Sequence, residues 1–200
     1  MDLLPLTFAS GWTSGINAYL TVLILGLLGR FGGFEDVPAG LQRTDVLIVA
    51  GILALVEFVA DKIPYVDSAW DAISTVIRPV TGAVIGALIA GANGDLLTLA
   101  LAAVGGTTAL VSHLVKSSLR LAINTSPEPV TNIGASLAGD VSVAGVASLA
   151  VLFPVAAAII AATLLIIGVV VAWFALSRIR RGWRAFRGWM SRDQEPARVT

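Results

Sequence analysis

The stretch EFVADKIPYVDSAWD, Glu57 to Asp71, sets four carboxylates and one lysine between two apolar runs. Glu57 and Asp61 are four residues apart, so on a helix they share one face, a turn from each other. Like charges at that spacing repel, and burial beside lipid adds to the cost, which favours a proton on one of the two. Arg78 is their natural counter-ion. Counted from Ser68, it falls about 15 Å into the next helix, with apolar residues on both sides. Left unpaired at membrane depth, it would cost about 2.5–3.5 kcal/mol. Pro79 kinks the helix beside it and frees the carbonyl of Thr75. Asp67 and Asp71 read as residues that start that helix, where carboxylates suit the positive dipole end. Lys62-Ile63-Pro64 closes the preceding helix, so Asp61 and Arg78 read equally as a buried pair or as groups near the headgroups.

Three more places carry chemistry. His113, one turn from Lys116, is either a proton relay or a hydrogen-bonded packing residue. Asn17 follows the glycine-rich SGWTSG, and Thr107 and Thr108 follow Gly105-Gly106. If those glycines break helices, the exposed N–H groups behind them favour anions; otherwise they serve close helix packing. Asp140, preceded by Gly139, is the one intramembrane carboxylate candidate of the second half. The chain has no cysteine and one histidine, which removes disulfides, thiolate zinc and cysteine nucleophiles. No metal centre and no cofactor are expected.

The elements that must hold these groups are apolar. Hydrophobic residues make up 56% of the 200 positions and charged ones 13%, with a mean hydropathy of +0.88; a soluble domain carries roughly 25% charge. The N-terminus lacks a basic region and reads as a membrane-inserting piece rather than a cleaved signal. Val46 to Val56 would span only about 17 Å as a helix, too little unless Glu57 follows it into the membrane. A third helix runs to Gly91, and GANGD turns the chain. Leu96 to Val115 is apolar, NTSPEPV is a proline-bearing loop, and the run from Asp140 to Arg178 must tilt, kink at Pro154 or divide. Beyond it, Arg178, Arg181 and Arg184 recur at helical spacing with Trp183, Phe186 and Trp189 among the basic positions. That pattern predicts an interfacial, cytoplasmic segment. Its junction with an apolar run disfavours nucleic acid as its partner.

GINAYLTVL (15–23) aligns with GTTALVSHL (106–114), Asp61 with Asp140, and Pro79 with Pro154. The expected fold is therefore an all-α integral membrane protein of about six membrane segments, some broken or re-entrant, in two inverted three-segment repeats. The membrane domain covers 1–176, with repeats at about 3–91 and 96–176, and a basic amphipathic tail covers 177–200. With six crossings and an inward tail, the N-terminus is also inside.

The pieces GWTSGINAYLTVLILGLLGRFG, EFVADKIPYVDSAWDAISTVIRPVTGA and GGTTALVSHLVK resemble a bacterial domain-of-unknown-function family, number 4126, from about Ser10 to about Phe174. The resemblance implies a small polytopic inner-membrane protein and supplies no reaction or substrate. Function rests on the residues. The leading expectation is a proton-linked transporter or flippase-like permease, in which Glu57, Asp61 and Asp140 carry protons or a cation. Arg78 holds an anionic substrate or the carboxylates. The alternative is a non-transporting scaffold whose charges lock the bundle. A lipid-acting enzyme built on His113 and a carboxylate comes third, for want of a nucleophile motif. The expected partners are the bilayer and an anionic or lipid-like small molecule, with a homo-oligomer left open.

Overall fold

The computed structural model describes residues 3–63, 65–91, 94–124 and 129–192, the side chains of 129, 185, 186 and 188–192 excepted. These residues form α1 (Leu3–Ile16), α2 (Ala18–Gly32), a 3-10 turn (Ala39–Gln42), α3 (Thr44–Ala60), α4 (Val66–Ala90), α5 (Asp95–Ile123), α6 (Pro129–Leu152) and α7 (Pro154–Arg192). The fold is all-α among them. By length and composition α4, α5, α6 and α7 can each cross a membrane, which is consistent with a polytopic membrane protein.

The first break lies at Asn17, two residues beyond SGWTSG. α1 runs straight through those glycines, and Asn17 has extended backbone, with its Oδ1 accepting from Leu20 N at 2.9 Å to cap α2. An asparagine N-cap satisfies an otherwise free N–H, so the polar side chain sets the break and the glycines do not. The expected break at Gly105-Gly106 is absent: α5 is one helix from Asp95 to Ile123. The glycine penalty of about 1 kcal/mol each is offset by packing, because a Cβ on Gly105 would collide with the carbonyl of Gly82, and one on Gly11 would sit 2.7 Å from the carbonyl of Gly105. Small residues let α1, α4 and α5 meet backbone to backbone along this seam.

Contacts give the directions. Along α1 and α5 the pairs Gly11–Gly105, Trp12–Ser112 and Ile16–Lys116 advance together, so these helices run parallel. Between α2 and α3 the pairs Leu23–Gly51 and Gly26–Leu47 run antiparallel. α4 and α5 are antiparallel as well, through Asp71–Arg120, Arg78–His113 and Gly86–Leu101. The chain thus reverses at Asn17, and α1 and α2 form a hairpin that enters and leaves on one face. Gly33, at φ 70°, ends α2 in the left-handed conformation that glycine allows, and the chain then enters the turn before α3.

The apolar run after Asp140 divides: α6 ends at Leu152, and α7 begins at Pro154, where a proline needs no N–H partner. α7 continues unbroken through the basic stretch to Arg192. The paired positions of the internal repeat differ locally. Pro79 lies inside α4 and Pro154 starts α7, while Asp61 ends α3 and Asp140 lies within α6. Most of GANGD and NTSPEPV lies outside the described residues.

Candidate functional site

Each helix contributes one polar stripe. On α4, Asp67, Asp71, Ser74 and Arg78 recur at three- and four-residue spacing and are all buried. On α5, Ser112, His113 and Arg120 are buried too, and Lys116, only 13% exposed at its side chain, completes the spacing 113, 116, 120. α3 adds Glu57 and, at its end, Asp61. Because α4 and α5 are antiparallel and α3 ends beside them, the three stripes face one another.

Arg78 is the deepest cation, twelve residues or about 18 Å into α4. Its guanidinium donates to Glu57 Oε1 at 2.5 Å and lies 3.2 Å from Asp71 Oδ1. It also donates to the carbonyl of Gly15, at the end of α1, at 3.3 Å and to His113 Nδ1 at 2.7 Å. Guanidinium offers only donors, so Nδ1 of His113 accepts and the ring proton sits on Nε2. That nitrogen faces Thr75 Oγ1 at 3.0 Å, and the Thr75 hydroxyl passes its own proton to the Asp71 carbonyl at 2.9 Å. His113 is therefore the neutral tautomer in this arrangement. A second ring proton would set donor against donor.

Asp61 does not pair with Arg78. Its carboxylate accepts from Lys116 at 2.7 Å and from Arg120 at 2.9 Å, and Asn132 of α6 reaches its carbonyl at 3.5 Å. Lys116 also donates to the carbonyl of Ile16 and lies 3.6 Å from Glu57. Arg120 bridges outward to Asp71 at 3.3 Å and Asp67 at 3.5 Å, where Asn124 adds amide contacts. Asp67 and Asp71 are thus not mere helix starters: at 0% and 5% exposure they belong to the buried network. Tallied by sign, Glu57, Asp61, Asp67 and Asp71 face Arg78, Lys116 and Arg120, four formal negatives against three positives. Glu57 Oε2 is buried without a hydrogen-bond partner.

Asn17 and Asp140 form a separate outpost, in which Asn17 Nδ2 donates to Asp140 Oδ1 at 3.3 Å and Lys62 Nζ lies 3.8 Å from Asp140 Oδ2. Thr107 faces outward from α5; Thr108 is buried but stands outside the ion network. Half-helix amides do not gather at Thr107 and Thr108, since α5 never breaks. Arg178, Arg181 and Arg184 are exposed on α7, Trp183 is 59% exposed with Arg187 stacked 5.7 Å from its ring, and the side chain of Trp189 lies outside the described residues. No group of three or more His, Cys, Asp or Glu residues that could hold a metal occurs among the described residues.

Lys116, Arg120, Asp67 and Asp71 were the residues that sequence reading did not assign to the site. Their signal was present as spacing: 113, 116 and 120 on one helix and 67, 71, 74 and 78 on the other each fall on a single face.

A family model described as a domain of unknown function, DUF4126, matches residues 4–174. No curated protein and no solved structure matches the chain. The chain belongs to the bacterial DUF4126 family.

Proposed function

Starting from that family membership, we propose that the protein is a small proton-linked permease of the bacterial inner membrane, in which Glu57 takes up and releases the proton. The observation that carries this is the imbalance of four buried carboxylates against three cations, together with the free Oε2 of Glu57. One proton there would neutralise the set, and intramembrane ionisable groups of this kind mark ion pathways. α2–α4 and α5–α7 serve as two inverted halves that rock against each other. The basic end of α7 lies on the cytoplasmic side. Arg78 is occupied by its carboxylates, so the substrate binds elsewhere. A mostly apolar cavity of ≈ 240 Å³ between α1, α5, α6 and α7, lined by Trp12, Ile16, Leu119 and Leu165 and reaching Lys116 and Arg120, has room for one end of a lipid-like molecule.

A scaffold is the second reading, favoured by the way Asp61 is clamped by two cations. Infrared spectra of protein reconstituted in lipid separate the two. A permease shows a protonated carboxyl band near neutral pH that Glu57→Gln removes and Asp61→Asn keeps. Absence of any protonated carboxyl above pH 5 would leave the network as a structural lock.

A further inference from the structure

The charged network ends at Arg78, but the polar line does not. On α1, Thr7, Ser10 and Ser14 fall on one helical face at three- and four-residue spacing, and all three are 0% exposed. Ser14 Oγ donates to the Arg78 carbonyl at 3.2 Å and so joins this line to the network. Thr7 Oγ1 and Ser10 Oγ have no hydrogen-bond partner. A buried hydroxyl left unsatisfied costs about 1–3 kcal/mol, and serine or threonine in a helix ordinarily satisfies itself on the carbonyl four residues back. Thr75, Thr81 and Ser142 do so in this protein. Thr7 and Ser10 instead lie on the face that carries Gly11 into the seam with Gly105 and Gly82, and Thr7 Cγ2 is 3.5 Å from where a Gly105 Cβ would be.

We infer that Thr7 and Ser10 line the second half of the proton path, a seam between α1, α4 and α5 that takes up water when it parts. This rests on the proton-linked reading above and extends it past Arg78 toward the opposite face. The stripe covers about 10 Å from Ser14 to Thr7, and Thr7 lies level with Gly105, ten residues into α5. In the packed seam the two hydroxyls are unsatisfied, and water entering it supplies their partners. Glycines hold the seam shut by backbone contact and leave no side chain in the way when it separates.

The chain lacks cysteine, so single substitutions can be read without background. Thr7→Cys, Ser10→Cys and, as control, Ala9→Cys, equally buried but in the apolar core, are reconstituted and exposed to a water-soluble cationic methanethiosulfonate. The thiolate, which forms only where water reaches, attacks the reagent's sulfenyl sulfur and displaces methanesulfinate to leave a mixed disulfide. The expected result is modification at positions 7 and 10 at least about tenfold faster than at 9, the factor equivalent to 1.4 kcal/mol. Adding Glu57→Gln, which balances the charges at three against three, slows both. Rates at 7 and 10 equal to the control would overturn the path while leaving the infrared test of Glu57 untouched. Rates indifferent to Glu57→Gln would overturn it too, since the water would then have no tie to the proton site. Fast, Glu57-dependent modification without a protonated carboxyl band would keep the hydrated seam and remove the proton reading.

Discussion

Asp61 holds two cations at once, with Lys116 at 2.7 Å and Arg120 at 2.9 Å, and its side chain is 2% exposed. Glu57 and Asp61 share a helix face, yet their surroundings differ: Asp61 is saturated, whereas Glu57 keeps a free oxygen. The two neutralising substitutions should therefore diverge. Asp61→Asn removes the nearest carboxylate of two buried cations, leaving Lys116 only Glu57 at 3.6 Å and Arg120 only Asp71 and Asp67 at 3.3 and 3.5 Å, and breaking a buried pair costs about 3–5 kcal/mol. A large drop in melting temperature in detergent is expected for it, against a smaller one for Glu57→Gln, because Arg78 keeps Asp71 at 3.2 Å and the carbonyl of Gly15. Equal melting temperatures for the two would show that the clamp on Asp61 does not hold the bundle. The same geometry supplies a charge-swap test of the scaffold reading. Exchanging Asp61 with Arg78 cannot preserve a pair that does not exist; exchanging Glu57 with Arg78 can.

Among the helices, the glycines divide by what faces them. A Cβ on Gly86 of α4 would run into the carbonyl of Leu101, while on Gly134 of α6 it would meet nothing within 4 Å. Gly86→Ala must push α4 away from α5, at about 1–3 kcal/mol as overpacking. Gly134→Ala should be neutral or stabilising by up to about 1 kcal/mol through helix propensity. Thermal unfolding of the two variants checks the pair, and a stable Gly86→Ala would mean that the seam is looser than its backbone contacts indicate. This is also where the sequence left two readings open, and close packing rather than a helix break is the one found at Gly105. Glycine pairs look the same whether they break a helix or let two helices touch, and only the partner strip (Gly82 and Gly86 opposite Gly105 and Leu101) decides. The charged elements were more legible. Glu57 and Arg78 were visible as a short apolar run and an arginine too deep for water. Lys116 and Arg120 are less legible, because cations near a helix end suit the membrane surface equally well. Their burial follows from the antiparallel register of α4 and α5, which no local pattern contains.

For the whole molecule, the reversal at Asn17 changes the topology. Six simple crossings would put the start of α1 and the basic end of α7 on one face. In the structure α1 runs parallel to α5, and α3 to α7 alternate, so α1 begins on the face where α2 ends and α3 starts, opposite the exit of α7. Glu35 and Asp36, with Arg30 and Arg43, lie on that first face and the exposed Arg178, Arg181 and Arg184 on the other, so the proposed cytoplasmic position of the basic end puts position 35 outside. Glu35→Cys and Arg181→Cys, each a lone thiol in this chain, report the two faces through an impermeant maleimide applied to intact cells. Position 35 should label directly, position 181 only after permeabilisation, and an epitope placed ahead of Leu3 should be reached from the same side as position 35. An epitope found on the cytoplasmic side with position 181 would restore the six-crossing path. α1 would then have to traverse the bundle antiparallel to α5, which its contacts with Gly105, Ser112 and Lys116 do not permit.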